Sequence, residues 1–339
     1  MTKFTNWRLL VALLAVFALV AAGCGDDDET EPTATEEPAA EDGAEEGGTD
    51  EAAAGVCANE ISSIAIVSPY YSDQPATKEV VDAFQADAEA AGFEVSLVDT
   101  GGDLAAVNSE IENALAQDAD AVVLGMGDPQ EFGAGLAATS EAGIPVFGLD
   151  AGAVDGITAN ITSDNDFLGQ TSAQQMIDAI GEGGRVIVIH FDPFEPVRLR
   201  GAAARALFEE NGIEIIEDIQ GDPADSTGFA KTTVLDLLSK YPEGEVDGVW
   251  AAWDASALGA FQATQDAGRP EVVVTGVDGQ DFATAEVAKG ENWIATVRQD
   301  WPGIAGAAVS AITDCSGGTA PADQVITVPG ELITAENAG

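Results

Sequence analysis

Aromatic and hydrogen-bonding side chains gather where the apolar runs of this chain end. These stretches are Ser68-Pro69-Tyr70-Tyr71-Ser72-Asp73-Gln74, Gly125-Met126-Gly127-Asp128, Leu149-Asp150-Ala151, His190-Phe191-Asp192-Pro193-Phe194, Ala252-Trp253-Asp254 and Val277-Asp278-Gly279-Gln280. A small molecule rich in hydroxyls needs this mixture. Its hydroxyls donate to carboxylates and accept from Arg and amide groups, while its C–H faces pack on aromatic planes. Other chemistries are poorly served. His190 is the only histidine, which excludes a two-histidine zinc site and obliges any Ser-His-Asp triad to use it. No Gly-x-Ser-x-Gly elbow and no phosphate-cradling glycine pattern occurs. His190 is read as a strand-end histidine with its bonds satisfied. No pair of carboxylates is singled out for acid and base work, and no catalytic residue, metal or cofactor is expected.

The elements that must carry these groups alternate between strand and helix. Ile61 to Val67 is an apolar run, Thr77 to Ala91 has apolar residues at helical spacing (Val80, Val81, Phe84, Ala88), and Phe93 to Val98 is a strand. Helices at 104–117 and 132–142 and strands at 121–124 and 144–149 follow. A second series then begins, with helices at 167–180, 197–211, 229–240 and 255–267 alternating with strands at 185–190, 213–219, 246–251 and 272–276. Such apolar strands suit parallel sheets buried on both faces. Two series divided near Thr162-Ser163-Asp164-Asn165 imply an α/β fold with two doubly wound sheets. Ligands of open α/β sheets bind beyond the carboxyl ends of the strands, where the mixed stretches lie.

The beginning of the chain has a different character. Lys3 and Arg8, the apolar run Leu9 to Val20, and Ala21-Ala22-Gly23-Cys24 follow the order of a secretory signal, and the run is too short to span a bilayer. The small residues before Cys24 resemble a bacterial lipobox, with Ala21 standing where Leu is most frequent. That resemblance implies removal of residues 1–23 as a signal peptide and lipidation of Cys24. Residues 24–56 carry 13 acids and no Lys or Arg, which reads as a disordered, self-repelling tether. Taking those 13 acids from the chain's 60, and the leader's two bases from its 12, leaves 47 acids against 10 bases, a charge of about −37 on the folded part. This excess argues against nucleic acid as a partner. It suits either a protein working at high salt or an acidic secreted protein. With Cys24 lipidated, Cys57 and Cys315 remain, as one pair in an oxidising compartment or as two buried thiols.

Five further motifs carry a resemblance: Thr162-Ser163-Asp164-Asn165, Arg198-Leu199-Arg200-Gly201, Asp254-Ala255-Ser256-Ala257-Leu258-Gly259-Ala260, Gly276-Val277-Asp278-Gly279 and Ala295-Thr296-Val297-Arg298-Gln299. In order and spacing they are similar to the periplasmic sugar-binding proteins of the ribose-binding type, the substrate-binding subunits of ABC transporters. The resemblance runs from Ile61 to about Thr334. It implies a type I periplasmic binding protein fold, two doubly wound lobes joined by a three-crossing hinge. Lobe one is then 60–164 plus 300–327, and lobe two 165–299 plus 328–336. Carried over position by position, the ligand contacts fall on Asp150, Arg198, Trp253, Asp278 and Gln299, with Ser72 and Gln74 from the first loop and Tyr70 or Tyr71 beside Trp253 for stacking. Trp253 stands where ribose binders have Asn, Ala151 where they have Arg, and Asp73-Gln74-Pro75-Ala76 where they have Asn-Pro-aromatic-aromatic, which puts ribose itself in doubt. Phe191, Phe194 and Asp128 are assigned to core or loop packing, and Trp293 and Trp301 to core and hinge packing.

In the implied arrangement, helix 302–313 runs from the cleft to Cys315 on the far side, where the first strand begins just after Cys57; a Cys57–Cys315 disulfide within lobe one is expected. The implied protein is a monomeric extracytoplasmic subunit of an ABC importer. It binds a monosaccharide or related polyol, closes its hinge and docks on the permease, held at the cell surface or in the periplasm by a lipid anchor on the outer face of the membrane. The alternative is a sensor lipoprotein presenting its ligand to a signalling receptor, or a binder of a nucleoside or signal molecule.

Overall fold

The computed structural model describes residues 56–338. The leader, Cys24 and the tether up to residue 55 lie outside the described residues.

Parallel β and α units alternate as the apolar pattern requires. The first series is β1 (Ser63–Ser68), α1 (Pro75–Ala91), β2 (Glu94–Asp99), α2 (Leu104–Ala116), β3 (Ala121–Gly125), a 3₁₀ turn (Pro129–Phe132), α3 (Gly133–Ala142), β4 (Val146–Leu149) and β5 (Ala159–Ser163). The second is α4 (Asn165–Ile180), β6 (Arg185–His190), α5 (Glu195–Glu210), β7 (Glu214–Gln220), α6 (Ser226–Lys240), β8 (Gly248–Ala251), α7 (Asp254–Ala267), β9 (Val273–Asp278), α8 (Asp281–Val287) and β10 (Trp293–Arg298). α9 (Trp301–Ser316), β11 (Val325–Val328) and β12 (Glu331–Thr334) follow.

The strands form two six-stranded sheets, β11-β5-β4-β3-β1-β2 and β12-β10-β9-β8-β6-β7. All pairings are parallel except β10 with β12. The chain passes between sheets three times, after β5, after β10 and after β11. Each sheet is the centre of one lobe, so the two-lobe, doubly wound α/β fold read from the sequence is the fold observed. β5, α8, β10, β11 and β12 are elements that the apolar pattern of the sequence does not mark. All but α8 are strands of four to six residues, and two of them, β11 and β12, lie at sheet edges with exposed positions that break the apolar signal.

Strand alternation divides the first core. Ile64 and Ile66 face α1 and α9, whereas Ala65 and Val67 face α2 and α3, where Val107, Ile111 and Leu136 cover them. Acidic residues start many of the helices: Asp103, Asp164, Asp225 and Asp300 each accept backbone N–H bonds that the first turn leaves open. This gives part of the acidic excess a local structural use. Between α9 and the segment preceding β1, Cys57 and Cys315 lie fully buried with Cα atoms 4.6 Å apart. Trp293 packs in the second core with Phe261 at 5.9 Å between ring centroids, and Trp301 is buried at the start of α9. No described helix is long and apolar enough to cross a membrane.

Candidate binding site

The carboxyl ends of the two sheets face each other across a cavity of about 500 Å³, mouth included. From the first lobe it is lined by Tyr70, Gln74, Ala76, Thr77, Met126 and Asp150. From the second lobe come Phe191, Phe194, Val197, Arg200, Pro223, Trp253, Asp278 and, where the chain leaves β10, Gln299.

Arg200 organises the polar part. Its Nη1 lies 3.3 Å from Asp278 Oδ1 in its own lobe and its Nη2 3.9 Å from Asp150 Oδ2 in the other. Nε donates to Asn165 Oδ1 at 2.9 Å, and Nη1 also reaches the carbonyl of Ala252. Gln299 Nε2 donates to Asp278 Oδ1 at 2.8 Å, and Thr162 Oγ1 to Asp150 Oδ1 at 2.5 Å. The three charged side chains are almost wholly buried, yet Asp150 Oδ2, Gln299 Oε1 and Trp253 Nε1 have no hydrogen-bond partner among the described residues. Six other buried side-chain atoms, Trp301 Nε1 and Gln280 Nε2 among them, share this state away from the cavity lining, so the three are singled out by their place. Here two acceptors and one donor lie at a cavity between lobes, which is what a ligand carrying several hydroxyls would satisfy. Burial pushes the Asp278 carboxyl up to about 6 against the opposing pull of Arg200 and Gln299, with Asp150 adding to the rise. Asp150 is raised as well, by burial first, against Arg200 and Thr162.

The backbone is strained at the same places. Among the described residues four non-glycine residues have positive φ, and three of them line the cavity: Met126 (61°), Asp150 (49°) and Asp278 (124°). Each follows or ends a strand, and such conformations persist where the surroundings over-determine them, commonly at functional sites.

Of the nine positions read from the sequence, Tyr70, Gln74, Asp150, Trp253, Asp278 and Gln299 line the cavity, and Tyr71, Ser72 and Arg198 do not. Tyr71 turns outward, its hydroxyl donating to Asp82 Oδ1 at 2.7 Å, and Ser72 binds Asp99. Arg198 gives its expected place to Arg200. Two residues along α5 is about 200° of rotation, so the side chains leave on opposite sides. Arg198 instead spans the cleft rim, with Nη1 3.3 Å from Asp128 Oδ2. Phe191 and Phe194, expected in core or loop packing, line the cavity instead, as does Met126. The one histidine is bonded on both sides, Nδ1 to Asp192 at 2.7 Å and Nε2 to Asp218 at 2.9 Å, outside the cavity lining.

Close helix approach makes the Arg200 position possible. A Cβ on Gly169 of α4 would overlap the Arg200 carbonyl oxygen. Gly169→Ala is therefore expected to push α5 away, lowering stability by about 1–3 kcal/mol and weakening ligand binding, read by denaturant melts and calorimetry. Unchanged values for both would mean that α5 yields without moving the guanidinium.

Two lobes whose strand ends enclose a buried carboxylate–guanidinium–carboxylate group define a bilobal solute-binding protein. The periplasmic binding protein domain model matches residues 64–319, and the chain belongs to that family, whose members bind solutes and are not enzymes. The chain is 26% identical over 215 residues to the ribose import binding protein of Bacillus subtilis, covering 63% of this chain and 68% of that one. Among solved structures, an ABC sugar transporter subunit from Rhodobacter sphaeroides matches with a TM-score of 0.77 at 28% identity, over 81% of this chain and 99% of that one. An ABC transporter solute-binding protein from Agrobacterium vitis with bound allitol matches with a TM-score of 0.77 at 26% identity, over 82% and 97%.

Proposed function

We propose that this protein is the extracytoplasmic solute-binding subunit of an ABC importer and that its cavity takes a monosaccharide or related polyol. The observation that carries the reading is the set of buried cavity atoms with no hydrogen-bond partner among the described residues, Asp150 Oδ2, Gln299 Oε1 and Trp253 Nε1, around Arg200. Hydroxyls satisfy both acceptors and the donor, and Trp253 and Tyr70 supply flat apolar faces. The relatives are import binding proteins, which favours a transporter over a signalling receptor. Thermal unfolding against a panel of sugars, polyols and nucleosides tests it. A ligand at a hundredfold excess over Kd stabilises the native state by about 2.7 kcal/mol, a shift of several degrees. No shift across the panel from folded protein would remove the sugar and polyol reading.

Lobe one is taken as 60–164 plus 300–327 and lobe two as 165–299 plus 328–336, closing about the three crossings; this rests on the membership of each strand in its sheet. Closure brings the lobes together at the rim. Arg198 meets Asp128, the Gln74 amide donates to Ser226 Oγ at 3.0 Å, and Ala153 N donates to Glu195 Oε1 at 3.4 Å. Arg198→Ala is expected to loosen this rim and lower affinity only about two- to fivefold, because a partly exposed pair contributes at most about 1 kcal/mol. Calorimetry and the radius of gyration with and without ligand would show it. A loss of a hundredfold or more would make Arg198 a direct ligand contact.

Cys57 and Cys315 are read as a disulfide tying α9 to the start of lobe one, away from the hinge crossings. Mutating both to Ser is expected to cost about 2–5 kcal/mol. Thiol titration of unfolded, unreduced protein should find neither free. Anchoring through lipidated Cys24, after removal of residues 1–23, is supported by the order of basic, apolar and small residues there, and the protein is taken as a monomer. Mass analysis of the amino-terminal peptide and light scattering of the released protein check both points.

A further inference from the structure

Trp253 follows the end of β8 and stands immediately before α7, with an extended backbone (φ −153°, ψ 154°). Its main chain is fixed on both sides. Ala252 N donates to the Ile189 carbonyl of β6 at 2.9 Å, and the Trp253 carbonyl accepts from Ala257 N at 3.1 Å, the first bond of the helix. The strand order β8-β6-β7 then shows where the indole goes. The far edge of its six-membered ring, Cζ2 and Cη2, lies against Gly221, the residue that follows β7, beside Ile189 of β6. The side chain thus crosses the end of β6 toward the second strand over, a span of roughly 10 Å between strand axes.

Glycine at 221 is what lets the ring reach that far. A Cβ there would overlap Trp253 Cη2 and stand 3.0 Å from Cζ2, with Ile189 Cγ2 at 3.4 Å. Carbon atoms pack at about 3.5–4.0 Å, so a single methyl forces a displacement. The main chain at 221 resists it, because Gly221 N donates to the His190 carbonyl at 2.7 Å and ties the end of β7 to β6. The indole is buried, and the open space it borders is the cavity that it lines. Displacement therefore carries the ring into the cavity and moves Nε1, the buried donor with no hydrogen-bond partner among the described residues. Gly221 itself lies outside the lining.

We propose, on the reading that the cavity takes a sugar or polyol, that Gly221 is a positioning residue for that ligand. It sets how deep the Trp253 indole sits across the end of β6, and so the point from which Nε1 donates to a ligand hydroxyl. Such a bond weakens steeply when donor and acceptor leave their line. A ring pushed off its seat leaves Nε1 or the hydroxyl buried without its partner, a loss of about tenfold in affinity.

The test is a double-mutant cycle read by calorimetric titration with D-ribose, D-xylose, D-glucose, xylitol, myo-inositol and any further sugar or polyol that shifts the thermal panel. For the probe that binds, Gly221→Ala should weaken affinity about tenfold or more, and Trp253→Phe about tenfold through loss of the donor. In the Trp253→Phe background Gly221→Ala should cost less than about twofold, because a phenyl ring ends short of the added methyl and the two changes are then uncoupled. A merely structural role for Gly221 would cost the same in both backgrounds. That equality overturns the proposal, as does a Gly221→Ala affinity within about twofold of the unaltered protein, or loss of all binding in Trp253→Phe, which would mean that far more than one donor is at stake. Should Gly221→Ala fail to fold alone, the double variant decides. Folding and binding as Trp253→Phe does upholds the proposal; failing to fold, or binding more weakly than that, overturns it. Silence of every probe and of the panel toward the folded, unaltered protein, or binding of a nucleoside alone, instead removes the sugar reading on which the proposal rests.

Discussion

Replacing Arg200 with alanine is expected to abolish ligand binding and to lower stability by about 3–5 kcal/mol, the cost of leaving buried charge without its partner. The Arg200 side chain is 2% exposed, between Asp278, which is 4% exposed, and Asp150, which is 1% exposed. Removing it leaves two buried carboxylates facing each other across the cleft. It also takes away the donors to Asn165 and to the Ala252 carbonyl, which tie α5 to the crossing after β5 and to the end of β8. Arg200→Lys keeps one charge but offers no planar fork to bridge both lobes, so binding should fall steeply while much of the stability survives. Arg200→Met combined with Asp278→Asn should recover stability without recovering binding, because the charge imbalance is relieved and the recognition is not. Denaturant melts and calorimetry separate these outcomes. An Arg200→Ala protein with an unchanged midpoint and measurable affinity would show that the guanidinium neither supports the fold nor meets the ligand.

The difference between Arg198 and Arg200 marks what the sequence could reveal. The alternation of strands and helices was legible because each apolar run is long enough to show its period, and the fold class followed. The motif around Arg198 and Arg200 is legible as a site element too, and its helical phase separates the two arginines. Val197, Gly201, Ala204 and Phe208 form the buried stripe of α5, and Arg200 sits within it whereas Arg198 lies outside. An arginine inside an apolar stripe is the stronger candidate for a buried ion pair, and that signal was present in the residues alone. Met126 left a weaker trace, a strand ending in Gly-Met-Gly, and its positive φ is visible only in the folded backbone. The outward turn of Tyr71 and Ser72 depends on Asp82 and Asp99, partners 11 and 27 residues away, which no local pattern specifies.

Acidification from pH 7 to 5 is expected to raise the stability of the unliganded protein and to weaken its hold on the ligand, two effects of opposite sign from one carboxyl. Burial pushes the Asp278 carboxyl up to about 6 from an ordinary 3.8, outweighing the pull of Arg200 and Gln299. Between those values the native state binds more protons than the unfolded chain, so stability falls as pH rises through the window; the loss is absent below the lower value and complete above the upper. Asp150 and Asp254, both raised by burial first, push the same way. Asp82, Asp120 and Asp192 are lowered, so the stability they contribute is present above the ordinary carboxylate range and is lost only below it, outside the window. Binding runs the other way, because an ionised Asp278 accepts from a hydroxyl more strongly than the neutral acid does. One coupled proton weakens affinity by up to about tenfold per pH unit below the folded value. Melting temperature and calorimetric Kd measured across this range give both signs, and Asp278→Asn should flatten the affinity profile and make the stability profile shallower, with Asp150 and Asp254 carrying what remains. A melting temperature that falls on acidification, with an affinity that holds constant, would mean that Asp278 keeps its charge and that burial does not govern it.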